Sequence, residues 1–203
     1  MIAPLERRPL GRTALTISRL GVGGGSSFGR AGDAGVDLLD ACWDAGLRYF
    51  DTAPLYGEGE SERRYGRALR SRPRDEFVLS TKVGRNSASE FDYSAEGVRQ
   101  SLARSLERLG LSRIDAVMIH DVDPDLHGDR FERHLDAALS GAYTALNDLR
   151  DQGVIGAAGN HRTHTPAGER LRAPCDSAGR GGTAVSAVAS GGGQCCRRAR
   201  KGG

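Results

Sequence analysis

Five short apolar segments recur along the first 160 residues, and helical patterns separate them. The apolar segments lie at 18–24, 47–53, 77–82, 114–120 and 154–159. The helical patterns lie at 34–46, 61–71, 94–109 and 131–152. In each helical pattern, apolar residues repeat every three or four positions, as they do in helices with one buried face. Regular alternation of strands and helices predicts parallel βα units, and therefore an α/β protein.

The helical patterns have recognisable ends. Gly46 and Gly110 are suited to the left-handed residue that follows many helices, and Ser94 is a good N-cap. The last pattern predicts one helix with a buried stripe made of Leu135, Leu139, Leu146 and Leu149. Ahead of the first strand, the residues RRPLGRTALTIS predict a β-hairpin with Gly11 and Arg12 in its turn.

Ionisable side chains end three successive predicted strands. Asp51 ends the second strand, Lys82 the third and His120 the fourth, and Tyr56 follows in the loop after the second. In a barrel of βα units, the carboxyl ends of the strands carry the chemistry. Each residue also has an ordinary structural interpretation: a helix cap for Asp51, loop packing for Tyr56, a surface cation for Lys82 and a core histidine for His120. Together, the four favour a functional site.

Lys82 is the most informative of the four. Only two of the 29 Lys and Arg residues are lysines, and the other is Lys201. A lysine at a strand end, in a chain that otherwise uses arginine, indicates that a compact ammonium group is needed there. A buried ammonium needs a counter-ion, which Asp51 on the adjacent strand can supply.

A buried ammonium would also explain the tyrosine. A free phenol has a pKa of about 10, and a neighbouring ammonium favours the phenolate. The sequence therefore predicts Tyr56 as a general acid–base beside Lys82. His120 would then orient or polarise a carbonyl oxygen that lies against Tyr56.

The glycines after the first strand, in GVGGGSSFG, resemble a dinucleotide-binding loop only in part. Gly21, Gly23 and Ser26 have the right spacing, but the position of the third glycine is occupied by Ser26 and no helix follows at once. A glycine-rich loop over a ligand-binding face is the preferred interpretation.

Composition changes sharply near residue 160. Residues 1–160 contain 21 Lys and Arg against 24 Asp and Glu, whereas residues 161–203 contain eight against two. The second range has nine glycines and no aromatic residue, so it lacks the apolar surface that would offset its ordering entropy. We therefore expect 1–160 to form the folded part of the chain, as either an open doubly wound sheet or a barrel, and 161–203 to be a disordered, low-complexity basic tail. Its charges are scattered and it has no aromatic side chain for stacking, so no nucleic-acid partner is expected.

Other partners and compartments are constrained by what the chain lacks. No run of 18 apolar residues is present, and charged residues occupy the N-terminus where a signal peptide needs an apolar region. We expect no membrane span and a cytoplasmic location. The four cysteines show neither metal-site spacing nor a disulfide framework, and no metal site is predicted from them.

Four stretches resemble the aldo-keto reductase family. In order along residues 7–160 they are DTAPLYGEGESERRYGRAL, STK, SLARSLERLGLSRIDAVMIHD and RDQGVIGAAG. The resemblance implies the N-terminal portion of a TIM-type (β/α)8 barrel with a β-hairpin that caps its bottom. It also implies NADP(H) or NAD(H) as hydride carrier, a small carbonyl compound or sugar as substrate, and a catalytic tetrad of Asp51, Tyr56, Lys82 and His120. The strings GVGGGSSFG and IHDVD are similar to the branch that oxidises L-fucose or D-threo-aldoses, or acts on pyridoxal.

The resemblance also implies cofactor contacts. Gly24, Ser26 and Asp51 would lie at the nicotinamide end, and Asn160 would bind the carboxamide. A full barrel needs eight strands and about 250 residues, but the strand pattern stops after the fifth. We therefore expect an incomplete barrel, from a gene truncated or frameshifted after about residue 160, and an inactive fragment.

Two alternatives remain at this stage. The first is a metal-dependent hydrolase on a similar barrel, because the residues HDVDPDLH supply potential ligands in His120, Asp121, Asp123 and His127. That interpretation leaves Lys82 unexplained. The second is a non-catalytic relic or regulator that keeps the tetrad without turnover.

Overall fold

A computed structural model describes residues 5–25, 32, 34–161 and 184–186. The strands are β1 (Arg7–Pro9), β2 (Thr16–Ser18), β3 (Val22–Gly23), β4 (Tyr49–Asp51), β5 (Val78–Val83), β6 (Ile114–His120), β7 (Ile155–His161) and β8 (Ala184–Ser186). The helices are α1 (Ala34–Asp44), α2 (Glu60–Leu69), α3 (Ala95–Leu109), α4 (Pro124–His127), α5 (Phe131–Ala137) and α6 (Tyr143–Asp151).

The strands β3 to β8 form one parallel sheet in the same order as they occur in the sequence. Strands β1 and β2 form a separate antiparallel hairpin. The predicted hairpin and the five parallel strands of the first 160 residues are confirmed. Within the described residues, β3 and β8 are the two edges of the sheet, so the barrel is not closed there.

The sheet has two distinct faces. We call the inner face the one that bears Asp51, Ser80, Lys82, Ala116 and Met118, which are neighbours in register on β4, β5 and β6. The helices cover the opposite, outer face. All six residues of β5 and all seven of β6 are buried, as expected for parallel strands with both faces covered.

An aromatic cluster forms the centre of the core on the outer face. Phe50 is fully buried, and its ring lies 6.1 Å from the ring of Tyr65, 6.3 Å from that of Phe77 and 6.5 Å from that of Trp43. The contacts with Tyr65 and Phe77 are edge-to-face, an arrangement that aromatic rings favour. This cluster fixes α1 and α2 against β4 and β5, and so fixes the loop that precedes α2.

The predicted ends of two helices are also confirmed. Ser94 Oγ accepts a hydrogen bond of 3.0 Å from the backbone N–H of Gly97 at the start of α3. Gly110 ends α3 with φ at 64°, and Gly46 follows α1 with φ at 87°, both in the left-handed region that glycine adopts without steric cost.

The predicted helix over 131–152 is confirmed in its extent, but the place of Leu139 in its buried stripe is wrong. A π-helical turn at Ala138–Ala142 joins α5 to α6 within the helical run. Such a turn inserts one extra residue and so shifts the phase of the buried face. As a result Leu139 is 36% exposed, whereas Ala138 and Ala142 are buried in its place.

The predicted disorder of 161–203 falls outside the described residues, apart from His161 and Ala184–Ser186. The backbone of His161 ends β7, and that of Ala184–Ser186 forms β8 beside it. Among the described residues, no helix has both the length and the apolar character required to cross a bilayer.

Candidate active site

Asp51 lies at the carboxyl end of β4, where both of its carboxylate oxygens are bound. Lys82 Nζ donates to Asp51 Oδ2 at 2.7 Å, and Ser80 Oγ donates to Asp51 Oδ1 at 2.7 Å. Sequence reasoning missed Ser80. The signal was available, because Ser80 precedes Lys82 by two residues on the same strand and so shares its face.

Lys82 is the buried cation of the site. Its side chain is 1% exposed, and Nζ also donates to the carbonyl oxygen of Thr52 at 3.0 Å. Burial lowers the pKa of Lys82, but the carboxylate of Asp51 and the phenol of Tyr56 together raise it more. The pKa of Lys82 therefore lies above its ordinary value, and the ammonium is charged at neutral pH.

The loop between β4 and α2 presents Tyr56 to this ammonium. The Tyr56 ring centroid lies 4.8 Å from Lys82 Nζ. Gly57, Glu58 and Gly59 have φ values of 62°, 55° and 87°, and Ser61 donates its backbone N–H to the Tyr56 carbonyl at 3.1 Å. Three successive residues with positive φ reverse the chain tightly, and two of them are glycines, which adopt such φ freely.

His120 completes the group from the end of β6. Its side chain is 2% exposed. The ring centroid lies 5.9 Å from that of Tyr56, with the two planes at 89°. The structure therefore brings together the three side chains that the sequence singled out at the strand ends and Tyr56 from the loop, with the Tyr56 ring beside both Lys82 and His120.

The residues assigned to the cofactor are distributed differently. Gly24 is tightly packed: its N–H donates to the Asp51 carbonyl at 2.6 Å, and an added Cβ would lie 2.9 Å from that oxygen. Ser26 lies outside the described residues. Asn160 pairs in register with Ile119, so it lies on the outer face of β7, away from the group around Lys82. Its Oδ1 is buried and has no hydrogen-bond partner among the described residues.

A second buried network, which sequence reasoning also missed, supports the Tyr56 loop. Glu62, with its side chain fully buried, accepts a hydrogen bond of 2.6 Å from Thr81 Oγ1 and another of 2.6 Å from Arg108 Nε. Thr81 directly precedes Lys82, and a Cβ on Gly59 would lie 2.7 Å from Arg108 Cδ. The network thus fixes the start of α2 to β5 and α3. The sequence did contain a signal for this network. Glu62 and Tyr65 are three residues apart, which places both on the buried side of α2.

The residues of the metal alternative do not form a metal site. Asp121 Oδ2 accepts a hydrogen bond of 2.6 Å from Arg85, and Asp123 Oδ1 accepts from the Asp125 N–H at 3.0 Å as the N-cap of α4. His127 Nε2 lies 2.9 Å from the Asp121 carbonyl oxygen. In the part of the chain that the structure describes, no three His, Cys, Asp or Glu side chains are arranged to hold a metal ion. The geometry therefore gives the hydrolase alternative no support.

Comparison with known proteins identifies the family. The model of the Aldo/keto reductase family matches residues 19–164. The chain belongs to the aldo-keto reductase family. The predicted resemblance is therefore confirmed, and with it a fold derived from the TIM barrel.

Similar proteins agree with this assignment. A D-threo-aldose 1-dehydrogenase from Pseudomonas sp is 43% identical over 145 residues, covering 60% of this chain and 42% of the relative. A pyridoxal 4-dehydrogenase from Microbacterium luteolum is 38% identical over 183 residues, covering 74% and 53% respectively. A crystal structure of an aldo-keto reductase from Pseudomonas aeruginosa matches with a TM-score of 0.64 at 38% identity, covering 77% of this chain and 59% of that one. The chain thus spans about half the length of the curated relatives that it matches.

Proposed function

We propose that this aldo-keto reductase chain carries the catalytic tetrad of an oxidoreductase that interconverts aldoses, or related carbonyl compounds, and their alcohols or oxidised products. The observation that carries the proposal is the buried ammonium of Lys82, held by Asp51 at 2.7 Å and lying 4.8 Å from the centroid of the Tyr56 ring. The names of the two dehydrogenase relatives support a substrate with a sugar-like or aldehyde group.

Tyr56 is the proton donor in reduction and the proton acceptor in oxidation. A bound nicotinamide nucleotide, NADP(H) or NAD(H), supplies or accepts the hydride at the reacting carbon. In reduction the substrate oxygen takes the phenolic proton of Tyr56, which leaves a phenolate, and the phenolate regains a proton from solvent. In oxidation the same phenolate removes the proton from the substrate hydroxyl.

Lys82 stabilises the phenolate that Tyr56 becomes during this exchange. An ammonium next to a phenol favours its charged form, and the interaction is stronger away from bulk water. Asp51 keeps the ammonium charged and oriented by its hydrogen bond to Nζ. Ser80 holds the second oxygen of that carboxylate, so the ammonium has one preferred position.

His120 orients the substrate oxygen. Its ring meets that of Tyr56 edge-on, so an oxygen between the two rings would contact both the phenolic proton and an imidazole N–H. Two donors on one carbonyl oxygen would stabilise the negative charge that develops there in the transition state.

Asn160 is our proposed contact to the nicotinamide carboxamide, and Gly24, Ser26 and Asp51 are our other proposed cofactor contacts. The buried Asn160 Oδ1 has no hydrogen-bond partner among the described residues, and an amide N–H of the cofactor would satisfy it. Asn160 lies in the outer-face register of β7, so we expect its contribution to be smaller than that of the tetrad.

The decisive test places the tetrad in a closed barrel. Residues 1–160 would be joined to the distal half of the Pseudomonas D-threo-aldose 1-dehydrogenase, and nucleotide reduction followed with aldoses. Tyr56→Phe should reduce turnover by about 10² to 10⁴, the usual contribution of acid–base catalysis, while cofactor binding is nearly unchanged. Tyr143→Phe, the same change on α6, is the matched control. Full activity in Tyr56→Phe would exclude the assignment, and an inactive but folded parent would favour the non-catalytic alternative.

We further propose that residues 1–203 alone do not turn over substrate. The sheet described here ends in open edges at β3 and β8, and open edges favour association. Fluorescence titration of NADPH against the purified 203-residue chain should show no saturable binding in the micromolar range. Saturable binding with steady turnover would contradict this proposal without affecting the tetrad assignment.

A further inference from the structure

The backbone changes direction abruptly at Asp121, directly after His120. Asp121 has a φ of 52° and its side chain is 2% exposed. Positive φ is uncommon for residues other than glycine, and aspartate is one of the few that adopt it. Within the described residues, Glu58 in the Tyr56 loop is the other non-glycine residue with positive φ. Both residues therefore flank the proposed site.

Buried side chains hold this conformation in place. Tyr93 Oη donates to the His120 carbonyl at 2.9 Å and lies 3.2 Å from the Asp121 carbonyl. His127 Nε2 lies 2.9 Å from the Asp121 carbonyl oxygen. Because a carbonyl only accepts hydrogen bonds, His127 donates through Nε2–H. The turn at Asp121 is thus fixed by its neighbours, as strained residues at functional sites are.

The turn directs the Asp121 carboxylate toward two partners. Asp121 Oδ2 lies 2.6 Å from Arg85 Nη1 and 3.4 Å from His120 Nε2. The first distance is that of a charge-assisted hydrogen bond. The second exceeds the usual 2.7–3.2 Å of an N–H···O hydrogen bond. The carboxylate therefore attracts a proton on His120 Nε2 from a distance too long for a full hydrogen bond.

We propose that Asp121, held by Arg85, is a positioning residue that keeps the proton of His120 on Nε2. A carboxylate beside an imidazole can select one tautomer and one orientation of the ring. Arg85 offsets the charge of the carboxylate, which alone would favour the imidazolium form. The inference deepens the proposed function, since it specifies how His120 presents its N–H to the substrate oxygen.

The proposal predicts that replacing Asp121 and replacing Arg85 have different effects on the protonation of His120. Asp121→Gly keeps the positive φ without strain and removes the carboxylate, so His120 should remain neutral and lose its preference for Nε2–H. Arg85→Met leaves the carboxylate without its guanidinium, so His120 should become doubly protonated. Asp51, Tyr56 and Lys82, the other ionisable groups of the proposed site, are unchanged in both variants. A purely structural ion pair would give the same loss of order in either variant.

The test is ¹⁵N NMR of the histidine side chains in the 203-residue chain at neutral pH, which needs no catalytic activity. The unsubstituted chain should show His120 as the neutral Nε2–H tautomer. Asp123→Asn is the matched control, because Asp123 lies in the same loop but caps α4, and it should leave the His120 signals unchanged. Any other protonation state in the unsubstituted chain, or the same His120 change in all three variants, would overturn the proposal.

A second measurement separates this inference from the proposed function. In the closed-barrel chimera, Asp121→Gly should lower kcat by about 10²-fold, as small misplacements of a catalytic group do, with the KM for the nucleotide unchanged. If the NMR result holds and the parent chimera is folded but inactive, the positioning of His120 stands and the proposed function fails. If the chimera is active and Asp121→Gly has full kcat, the positioning role fails alone.

Discussion

The two ends of β5 and β6 each bury an ion pair, and the two pairs are built differently. At the amino end, Asp115 Oδ2 accepts hydrogen bonds of 2.7 Å from Arg74 and 2.7 Å from the Leu79 N–H. At the carboxyl end, Asp51 binds Lys82. The guanidinium of Arg74 also reaches the carbonyl of Phe77 at 3.2 Å, so one planar group binds both a carboxylate on β6 and a backbone carbonyl just before β5. The ammonium of Lys82 instead sits under the ring of Tyr56.

Arginine also binds two other fully buried carboxylates that the structure describes. Arg108 binds Glu62, and Arg85 binds Asp121. A planar fork with several donors is suited to fixing backbone and carboxylate together. The comparison teaches that this chain uses arginine to hold buried carboxylates in one position, and lysine where a compact charge lies beside the phenol of Tyr56.

The largest effect expected from this comparison is loss of turnover in Lys82→Arg. The guanidinium keeps the charge but is too broad to occupy the position between Asp51 and Tyr56. We expect kcat of the closed-barrel chimera to fall by about 10² or more, and Lys82→Met to fall at least as far. Arg74→Lys, the reverse exchange at the opposite end, is the control and should keep full kcat. Near-normal rates in Lys82→Arg would show that the carboxyl end does not specifically require lysine.

The next largest effect is on stability, at the amino end. Asp115→Ala leaves the Leu79 N–H without its acceptor and the partly buried guanidinium of Arg74 without its counter-ion. Breaking a buried ion pair in this way typically costs about 3–5 kcal/mol. Urea denaturation of the 203-residue chain should show this loss, whereas Asp129→Ala, at an exposed position, should change the unfolding free energy by about 0.5 kcal/mol or less. Equal losses in the two variants would show that Asp115 is not a structural tie.

A smaller effect is the pH dependence of the stability, which we expect to come from His127 near the carboxyl end of β6. Burial lowers the pKa of His127, and repulsion by Arg130 and Arg85 adds to this, against the opposing effects of the Asp121 carbonyl and the Asp123 carboxylate. The unfolded chain therefore binds this proton more readily, so stability is full above about pH 6.5 and falls as the pH drops below it. The loss cannot exceed about 1.4 kcal/mol per pH unit for one group. Urea denaturation at pH 7.5 and 5.5 should show a smaller pH effect in His127→Gln, and an unchanged effect would exclude His127 as its source.

The smallest effect is that of Arg74→Lys on stability. Lysine keeps the charge facing Asp115 but cannot also reach the carbonyls of Phe77 and Arg113. Loss of such hydrogen bonds costs on the order of 1 kcal/mol, measurable as a shift in the urea midpoint. A stabilised variant would show that the planar fork is not what this position requires.

The carboxyl end could be predicted from the sequence in large part, because parallel strands bring their last residues to one edge. Asp51, Lys82 and His120 were therefore expected to lie together, and the structure places them so. Tyr56 was expected nearby because it follows Asp51 in the loop after the second predicted strand. The roles of these residues in catalysis stay predictions.

What could not be predicted depended on contacts between distant segments. Arg108 and Glu62 are 46 residues apart, and no local pattern distinguishes Arg108 from the other arginines of the chain. Leu139 was misplaced for a different reason, since a π-helical turn changes the helical phase, and the single glycine in this turn, Gly141, does not by itself predict one. Asp121 was considered as a metal ligand because its sequence neighbours are acidic, whereas its partner is the distant Arg85.

Because Lys82 is buried, the chemical reactivity of its amine can report how often the site opens. Amine-reactive reagents attack only deprotonated, accessible amines. The pKa of Lys82 lies above its ordinary value, and its side chain is 1% exposed, so the closed site protects it on both counts. Because the chain has only one other lysine, acylation of Lys82 can be followed on a single peptide. The rate of that acylation would measure how often the strand ends separate far enough for solvent to reach the ammonium.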